Sequence, residues 1–150
     1  MVLGFLAVSC RKKPPVGTET VNADTLPTSE FFGPTELSCT EGKDTKWRLH
    51  TTHIIRYDQK KKIAMDPVTV YIYTENRRDS NILTANTGEI SDDLSSLAAW
   101  GNVAVNTYDG KRLLTEEIHW DKNSDKISSP KFVKLTTREG DVISGTGFEA

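Results

Sequence analysis

The sequence lacks the short motifs that mark most nucleotide-dependent and hydrolytic enzymes. It has no glycine-rich phosphate loop ending in Gly-Lys-Ser/Thr, no Gly-x-Gly-x-x-Gly fingerprint and no Gly-x-Ser-x-Gly nucleophile turn. Its two cysteines are far apart, so it has no paired-cysteine metal knuckle either. We therefore expect that the protein is not an enzyme and uses no cofactor.

The net charge, the cysteine content and the length of the apolar runs are also low. The net charge of -2 over 150 residues argues against bulk binding of nucleic acid. No apolar run approaches the roughly 20 residues that span a bilayer. His50 and His53 are three residues apart, so a regular strand would turn them to opposite faces, and no neighbouring carboxylate or thiol completes a ligand set. We predict no metal site, and we interpret Cys39 as a packing residue.

The sequence is rich in alternation. From Trp100 to Phe148, four apolar runs alternate roughly every second residue, and each is closed by Gly, Asp or Asn. This pattern is typical of half-buried antiparallel strands joined by tight turns, the clearest turn being 108–111 with its Asp-Gly pair. We predict a strand over 94–100 and no helix longer than two turns after Cys10. Alternation places successive residues on opposite faces of the sheet. The predicted apolar face carries Val103, Val105, Leu114, Ile118, Trp120, Ile127, Val133 and Leu135. The predicted opposite face carries Asn102, Ala104, Leu113, Thr115, Glu117, His119 and Lys134.

The same unit occurs earlier in the chain. The first copy consists of residues 55–58, a polar turn, 62–63 and 67–70. It matches a later copy that consists of residues 118–121, a polar turn, 126–127 and 130–135. A weaker third copy ends at 101–105. The equivalent valines, Val68, Val103 and Val133, are spaced 35 and then 30 residues apart. Repeated strand pairs of similar length predict an elongated sheet whose units bury a shared apolar face.

The N-terminal part of the chain predicts an anchor and a tether. Residues 1–10 form a short apolar run ending at Cys10, which resembles the end of a bacterial lipoprotein signal whose cysteine is lipidated. An ordinary strand, or a signal cleaved without lipidation, is the alternative. Residues 11–33 are polar and punctuated by Pro14, Pro15 and Pro27, which predicts a flexible tether before a domain over 34–150.

Short motifs follow one another in order across residues 37–150: Trp47-Arg48-Leu49, Pro67-Val68, Leu83-Thr84-Ala85 with Gly88, Gly101-Asn102-Val103-x-Val105, Gly110 with Leu114-Thr115-Glu116, Ile127-Ser128-Ser129, Phe132-Val133 and Gly145-x-Gly147-Phe148. In this order they resemble the LptC family, the periplasmic component of the lipopolysaccharide export machine. The resemblance implies an all-β fold, an antiparallel β-jellyroll of the OstA/LptA-like type, in which two sheets form a V-shaped slide that is open along an edge.

The resemblance also implies partners and a location. Lipopolysaccharide acyl chains would follow the apolar interior. The partner transporter would be an inner-membrane ABC transporter with subunits of the LptB, LptF and LptG type. The N-terminal edge would dock on the periplasmic jellyrolls of its membrane subunits, and the C-terminal edge would pair strand to strand with an LptA-type periplasmic bridge protein. The implied location is the periplasmic face of the inner membrane in a Gram-negative envelope. A lipid anchor at Cys10 would replace the transmembrane helix of the commoner family members.

Inward residues of such a jellyroll are the candidates for a lipid groove, although the mid-sheet valines also fit an ordinary core. Two other functions stay open: a β-sheet bridge or scaffold that carries no lipid, and a carrier for a small apolar ligand that needs no partner. The candidates are Trp47, Leu49, Ile55, Tyr57, Ile63, Met65, Val68, Val70, Leu83, Ala85, Leu97, Val103, Val105, Leu114, Ile118, Trp120, Ile127, Val133 and Leu135.

Overall fold

A computed structural model describes residues 25–75 and 79–150 of the protein. These residues form ten antiparallel β-strands and no α-helix. The strands are β1 (Ser29–Glu41), β2 (Asp44–Tyr57), β3 (Lys62–Asp66), β4 (Val68–Tyr73), β5 (Ser80–Ala85), β6 (Thr87–Ser91), β7 (Ser96–Asn106), β8 (Arg112–Asp121), β9 (Lys126–Thr136) and β10 (Val142–Glu149). The predicted all-β jellyroll is confirmed.

The ten strands form one continuous hydrogen-bonded network, which divides into two sheets because long strands bend and pass from one sheet to the other. β2 pairs with β3 over its second half and with β4 over its first half. β7 likewise pairs with β6 and then with β5. We call the sheet containing β3 and β6 sheet I, and the sheet containing β4 and β5 sheet II. Within the described part, β1 pairs only with β2 and β10 pairs only with β9, so these two strands are the edges of both sheets.

A row of bends joins the two sheets. The ladder shifts register or breaks at Gly33-Pro34, Pro67, Asn86, Gly101-Asn102, Pro130-Lys131 and Gly147. Gly101 has a φ of +76°, and a Cβ added there would lie 2.8 Å from the Asn86 side-chain nitrogen. Glycine is favoured at this crossing, because a positive φ strains other residues and an added Cβ would require the Asn86 side chain to move.

The bends shift the alternation of apolar residues by one position in several strands. On β2, Leu49 and Thr51 are buried before the bend and Ile54 is buried after it. On β8, Leu113 and Thr115 are buried before the bend and Ile118 after it. A bulge inserts one residue on one strand of a pair, so the side that faces inward changes from odd to even positions.

These phase shifts correct four sequence predictions. Leu114, predicted inward, is exposed, whereas Leu113 and Thr115, predicted outward, are buried. Ile55 and Tyr57 were also predicted inward, but they alternate with the core residue Ile54 and lie on the outer face. His50 and His53 were predicted to lie on opposite faces, but both lie on the outer face, because the bend at Thr51-Thr52 separates them. The outer-face residues of β2 thus include His50, His53, Ile55 and Tyr57.

Other local predictions can be compared directly with the strands. The strand predicted over 94–100 is confirmed from Ser96 onward as part of β7. The turn at 108–111 is confirmed, with the Gly110 amide donating to the Thr107 carbonyl at 3.0 Å. β1 begins at Ser29, so residues 29–33 belong to a strand and not to the predicted tether. Residues 1–24, including Cys10, lie outside the described residues.

Candidate functional site

The inner face of sheet II carries one continuous line of aliphatic side chains. Each strand contributes one residue, and each residue is the register partner of the next. We call this line the central row: Leu37, Leu49, Val70, Leu83, Val105, Leu113, Leu135 and Ile143. Because partners across antiparallel strands lie about 5 Å apart, the row is a continuous apolar stripe that crosses the whole sheet.

The central row is buried in its middle and reaches solvent at the C-terminal edge. Leu49 is 0% exposed and Leu83 is 5% exposed, whereas Ile143 on β10 is 64% exposed. Leu135, its neighbour on β9, is half-buried and packs against the core. The stripe therefore runs from a packed interior to an open edge.

Sheet I repeats this arrangement in two shorter rows. One passes through Phe31, Ile54, Met65, Gly88, Ala99 and Ile118. The other passes through Ile63, Ile90, Leu97, Trp120 and Ile127. Here too the middle is buried, with Ile90 1% exposed, and one end of each row is open, with Phe31 57% and Ile127 36% exposed.

The predicted groove residues fall into four groups in the structure. Nine belong to the buried core: Leu49, Met65, Val68, Val70, Leu83, Ala85, Val103, Ile118 and Val133. Five are partly buried and pack against it: Trp47, Ile63, Leu97, Val105 and Leu135. Two lie on the inner rim of sheet I, Trp120 and Ile127, and three lie on the outer face, Ile55, Tyr57 and Leu114. Whether any of them contacts lipid stays a prediction.

Sequence reasoning missed several residues of the inner face. Ile54, Ile90, Ala99 and Leu113 are buried core residues that the alternation skipped. Phe31 and Ile143 were missed although they are the exposed ends of two rows. The sequence contained a signal for Ile143, since Val142-Ile143 is an apolar pair directly after a Gly-Asp turn. Two adjacent apolar residues, however, do not show which of them faces inward.

Buried hydroxyl groups hold the inner face together at the bends. Thr115 Oγ1 lies 2.9 Å from Ser129 Oγ and 3.0 Å from the Phe132 carbonyl oxygen. Thr51 Oγ1 donates to the His53 carbonyl at 3.0 Å on the other side of the molecule. In the described ranges no buried side-chain nitrogen or oxygen is left without a hydrogen-bond partner. At these two bends, threonine hydroxyl groups therefore supply hydrogen bonds to the backbone carbonyls of Phe132 and His53.

The outer face of sheet I is polar and carries a cavity of about 510 Å³. Its walls include Trp100, His119 and the ion pair between Lys62 and Glu89, which is 2.6 Å long. Nearby, the hydrogen bond from His119 and the charge of Lys131 keep the pKa of Glu117 below its usual range, against the opposing effect of burial. No group of three or more potential metal ligands occurs in 25–75 or 79–150. Leu97 and Trp120, which belong to the second row of sheet I, also contribute to its walls.

The two edges of the molecule differ in how they receive another strand. β10 is uncharged from Val142 to Phe148, contains no proline and has exposed apolar side chains at Val142 and Ile143. β1 carries Pro34, a bulge at Gly33-Pro34 and several glutamates. Proline, charge and bulges block strand addition, so β10 is the edge that is open to pairing along most of its length.

Comparison with known proteins agrees with these observations. The family model described as lipopolysaccharide-assembly, LptC-related, matches residues 17–150. The chain belongs to the LptC family. No curated protein gives a significant match to it.

Membership of the LptC family identifies the protein as a periplasmic component of lipopolysaccharide transport in the Gram-negative envelope, on the periplasmic side of the inner membrane. LptC proteins interact with lipopolysaccharide and with the Lpt transport complex, and they are transport proteins, not an enzyme family. No helix within the described residues is both long and apolar enough to span a membrane.

Proposed function

We propose that this LptC protein is a membrane-tethered adaptor that receives lipopolysaccharide from the inner-membrane ABC transporter and passes it to an LptA-type bridge protein. The tether is the segment after Cys10, with Cys10 carrying the lipid anchor. The transporter subunits of the LptB, LptF and LptG type lie on the N-terminal side of the relay, and the bridge protein lies on the C-terminal side.

The observation that carries this proposal is the central row. It is continuous from core to solvent and ends at Ile143, on the strand edge that is open to pairing. A partner strand added to β10 would gain backbone hydrogen bonds, and its own inward residue would continue the apolar stripe. Lipid contact is therefore assigned to the exposed ends of the rows, namely Phe31, Ile127 and Ile143, while the middle residues form the core.

The energetics agree with a relay that does not itself extract lipid. Burying an acyl chain is worth about 0.8 kcal/mol per CH₂ group, so removing a many-chained lipid from a bilayer costs tens of kcal/mol. A domain of this size has a total stability of about 5–15 kcal/mol. It can shield acyl chains from water during transfer, but the energy must come from the ATPase of the transporter.

The structure offers a matched pair of positions for testing the proposal. Val142 and Ile143 are adjacent on β10, are exposed to 56% and 64%, and point to opposite faces. We would place a photocrosslinking amino acid at each position in cells. We expect lipopolysaccharide adducts at position 143 and few at position 142, with the adducts lost when ATP is depleted.

Two results would overturn the proposal. Equal labelling at 142 and 143 would mean that contact with lipid is nonspecific. Absence of adducts at 143, 127 and 31, in folded protein that still co-purifies with the transporter, would leave the scaffold function as the better account. Adducts that form in the absence of the transporter and survive ATP depletion would favour a free-standing carrier.

A further inference from the structure

The first residues of β1 form a short ribbon that is held separately from the rest of the strand. We call residues 28–32 the N-terminal ribbon. Gly33, with a φ of +117°, and Pro34 interrupt the ladder between Phe32 and Thr35. Because proline has no amide hydrogen and the bulge leaves these residues out of register, opening of the ribbon does not require opening of residues 35–41.

Few contacts hold the ribbon on β2. Four register pairs join 29–32 to 53–56, the Thr28 amide donates to the Arg56 carbonyl at 2.7 Å, and the Asp58 amide donates to the Thr28 hydroxyl at 3.1 Å. Apolar burial contributes little, since Phe31 is 57% and Phe32 is 76% exposed. A terminal segment with few buried apolar contacts lies at the low-stability end of a fold, so a single side-chain interaction can control its opening.

That interaction is centred on His53. Its Nε2 lies 2.7 Å from Glu30 Oε1 on the ribbon, and its Nδ1 lies 3.1 Å from Asp66 Oδ2 on β3. The Phe32 ring stacks on the imidazole with centroids 4.6 Å apart. Only the protonated ring can donate from both nitrogens at once, so this geometry selects the imidazolium.

The charges around His53 are few and can be named. Glu30 on β1 and Asp66 on β3 face it, and the β4 residues paired with β2 carry no charge. Arg56 on the same strand is engaged by Asp58 at 2.6 Å and Asp92 at 3.5 Å. The hydrogen bond with Glu30 is the largest cause that raises the pKa of His53; burial opposes it and Asp66 adds to it.

We propose that His53 and Glu30 form a pH-sensitive clamp that holds the N-terminal ribbon on β2. Asp66 stays beside His53 whether the ribbon is closed or open, because it belongs to β3. Glu30 moves away with the ribbon. Therefore only the part of the His53 proton affinity that Glu30 provides links protonation of His53 to closure of the ribbon. Opening would free the β2 edge over 53–56 and uncover Ile54, which is 8% exposed in the closed form.

The direction of the pH effect follows from linkage. The hydrogen bond with Glu30 raises the pKa of His53 and is lost when the ribbon opens, so on this proposal protonation stabilises closure. The full stabilisation is present below the pKa of the open form and is lost as pH rises through the raised pKa of the closed form. Release of the ribbon is therefore favoured on the alkaline side of the His53 titration.

Amide hydrogen exchange of the full chain, followed by NMR and normalised to intrinsic rates, tests the clamp. We expect the protection factors of amides in 28–32 to fall as His53, monitored by its own ring resonance, loses its proton. Amides in 35–41 of the same strand should show no such fall. The ratio of protection between the two ends of the titration should equal ten raised to the difference between the pKa of His53 with the ribbon closed and with it open.

Three variants separate the clamp from a general pH effect. Glu30→Gln should abolish the pH dependence of protection in the ribbon. Asp66→Asn should move the transition to lower pH and keep a fall of similar size. His119→Gln is the matched control, since His119 contacts Glu117 at 2.6 Å and not the ribbon, and it should leave the profile unchanged. Protection that does not follow the His53 titration, or that keeps its pH dependence in Glu30→Gln, would overturn the proposal. The readout uses no lipid, so it is independent of the proposed relay.

Discussion

Replacement of Leu49 by alanine tests whether the middle of the inner face is packed core or an open lumen. Leu49 is 0% exposed and lies between Leu37 and Val70 in the central row. The substitution removes three methylene-sized groups, worth about 0.8 kcal/mol each, or about 2.4 kcal/mol together. The cavity left behind brings the expected loss to about 3–4 kcal/mol, within the range measured for buried leucines.

Urea denaturation of the purified protein would measure this loss. With a slope of about 1–3 kcal/mol per molar urea, a loss of about 3 kcal/mol lowers the unfolding midpoint by about 1–3 M. Ile143→Ala is the control at the other end of the same row. Ile143 is 64% exposed, and its replacement should change stability by no more than about 0.5 kcal/mol.

The losses of stability in the two variants together distinguish a packed core from an open lumen. A loss of less than about 1 kcal/mol for Leu49→Ala would show that its side chain borders space that is not filled by protein, as in a lumen. The assignment of lipid contact to the edges alone would then be refuted. A large loss for both variants would instead show that the β10 edge is buried in solution, for example by a second copy of the chain.

The bends yield two further predictions. Gly101→Ala should cost more than Gly140→Ala: both residues have positive φ, which costs a side chain about 1–2 kcal/mol, but only at Gly101 does the added Cβ meet the Asn86 side chain, 2.8 Å away. Equal losses on thermal unfolding would show that Asn86 yields without strain. Thr115→Val should cost about 1–3 kcal/mol, because it removes the hydroxyl shared with Ser129 and the Phe132 carbonyl. The outward-facing Thr84→Val is its control, and a similar loss in both would mean that the buried hydroxyl does not stabilise the bend.

The fold class was predictable from the sequence because alternation and turn residues carry it. The repeat was informative in an unexpected way. Val68, Val103 and Val133, the equivalent valines of the three copies, are all buried and each follows a bend, after Pro67, Gly101-Asn102 and Pro130-Lys131. The repeat thus marks the row where the two sheets join, since proline and glycine are the residues that interrupt a ladder there.

The errors of the sequence analysis occur where a bend has no such marker. Thr51-Thr52 and Glu116-Glu117 contain neither glycine nor proline, so strict alternation was continued through them. The prediction therefore turned Ile55, Tyr57 and Leu114 inward, one residue out of phase. Period-two reasoning flips every later side chain to the wrong face after a single inserted residue.

Which members of the inner face are open to solvent was not predictable from the pattern. Leu49 and Ile143 are both aliphatic and both belong to the central row, yet their exposures are 0% and 64%. The difference arises because Leu49 has a strand on each side and Ile143 lies on the last strand. Exposure at an edge depends on which strands lack a neighbour, and that is a property of the whole sheet.

Because Ile143 lies on the edge strand β10, pairing of a partner strand and contact with lipid would involve the same strand. Neighbouring strands lie about 4.8 Å apart, so a partner strand paired with β10 would place its own inward residue one step beyond Ile143 in the central row. The backbone groups that join the two proteins and the apolar residues that shield lipid would then follow one strand. Such assembly would complete the apolar surface that ends at Ile143 in the isolated chain, and a partner strand with a charged residue opposite Ile143 would join the sheet but interrupt the stripe.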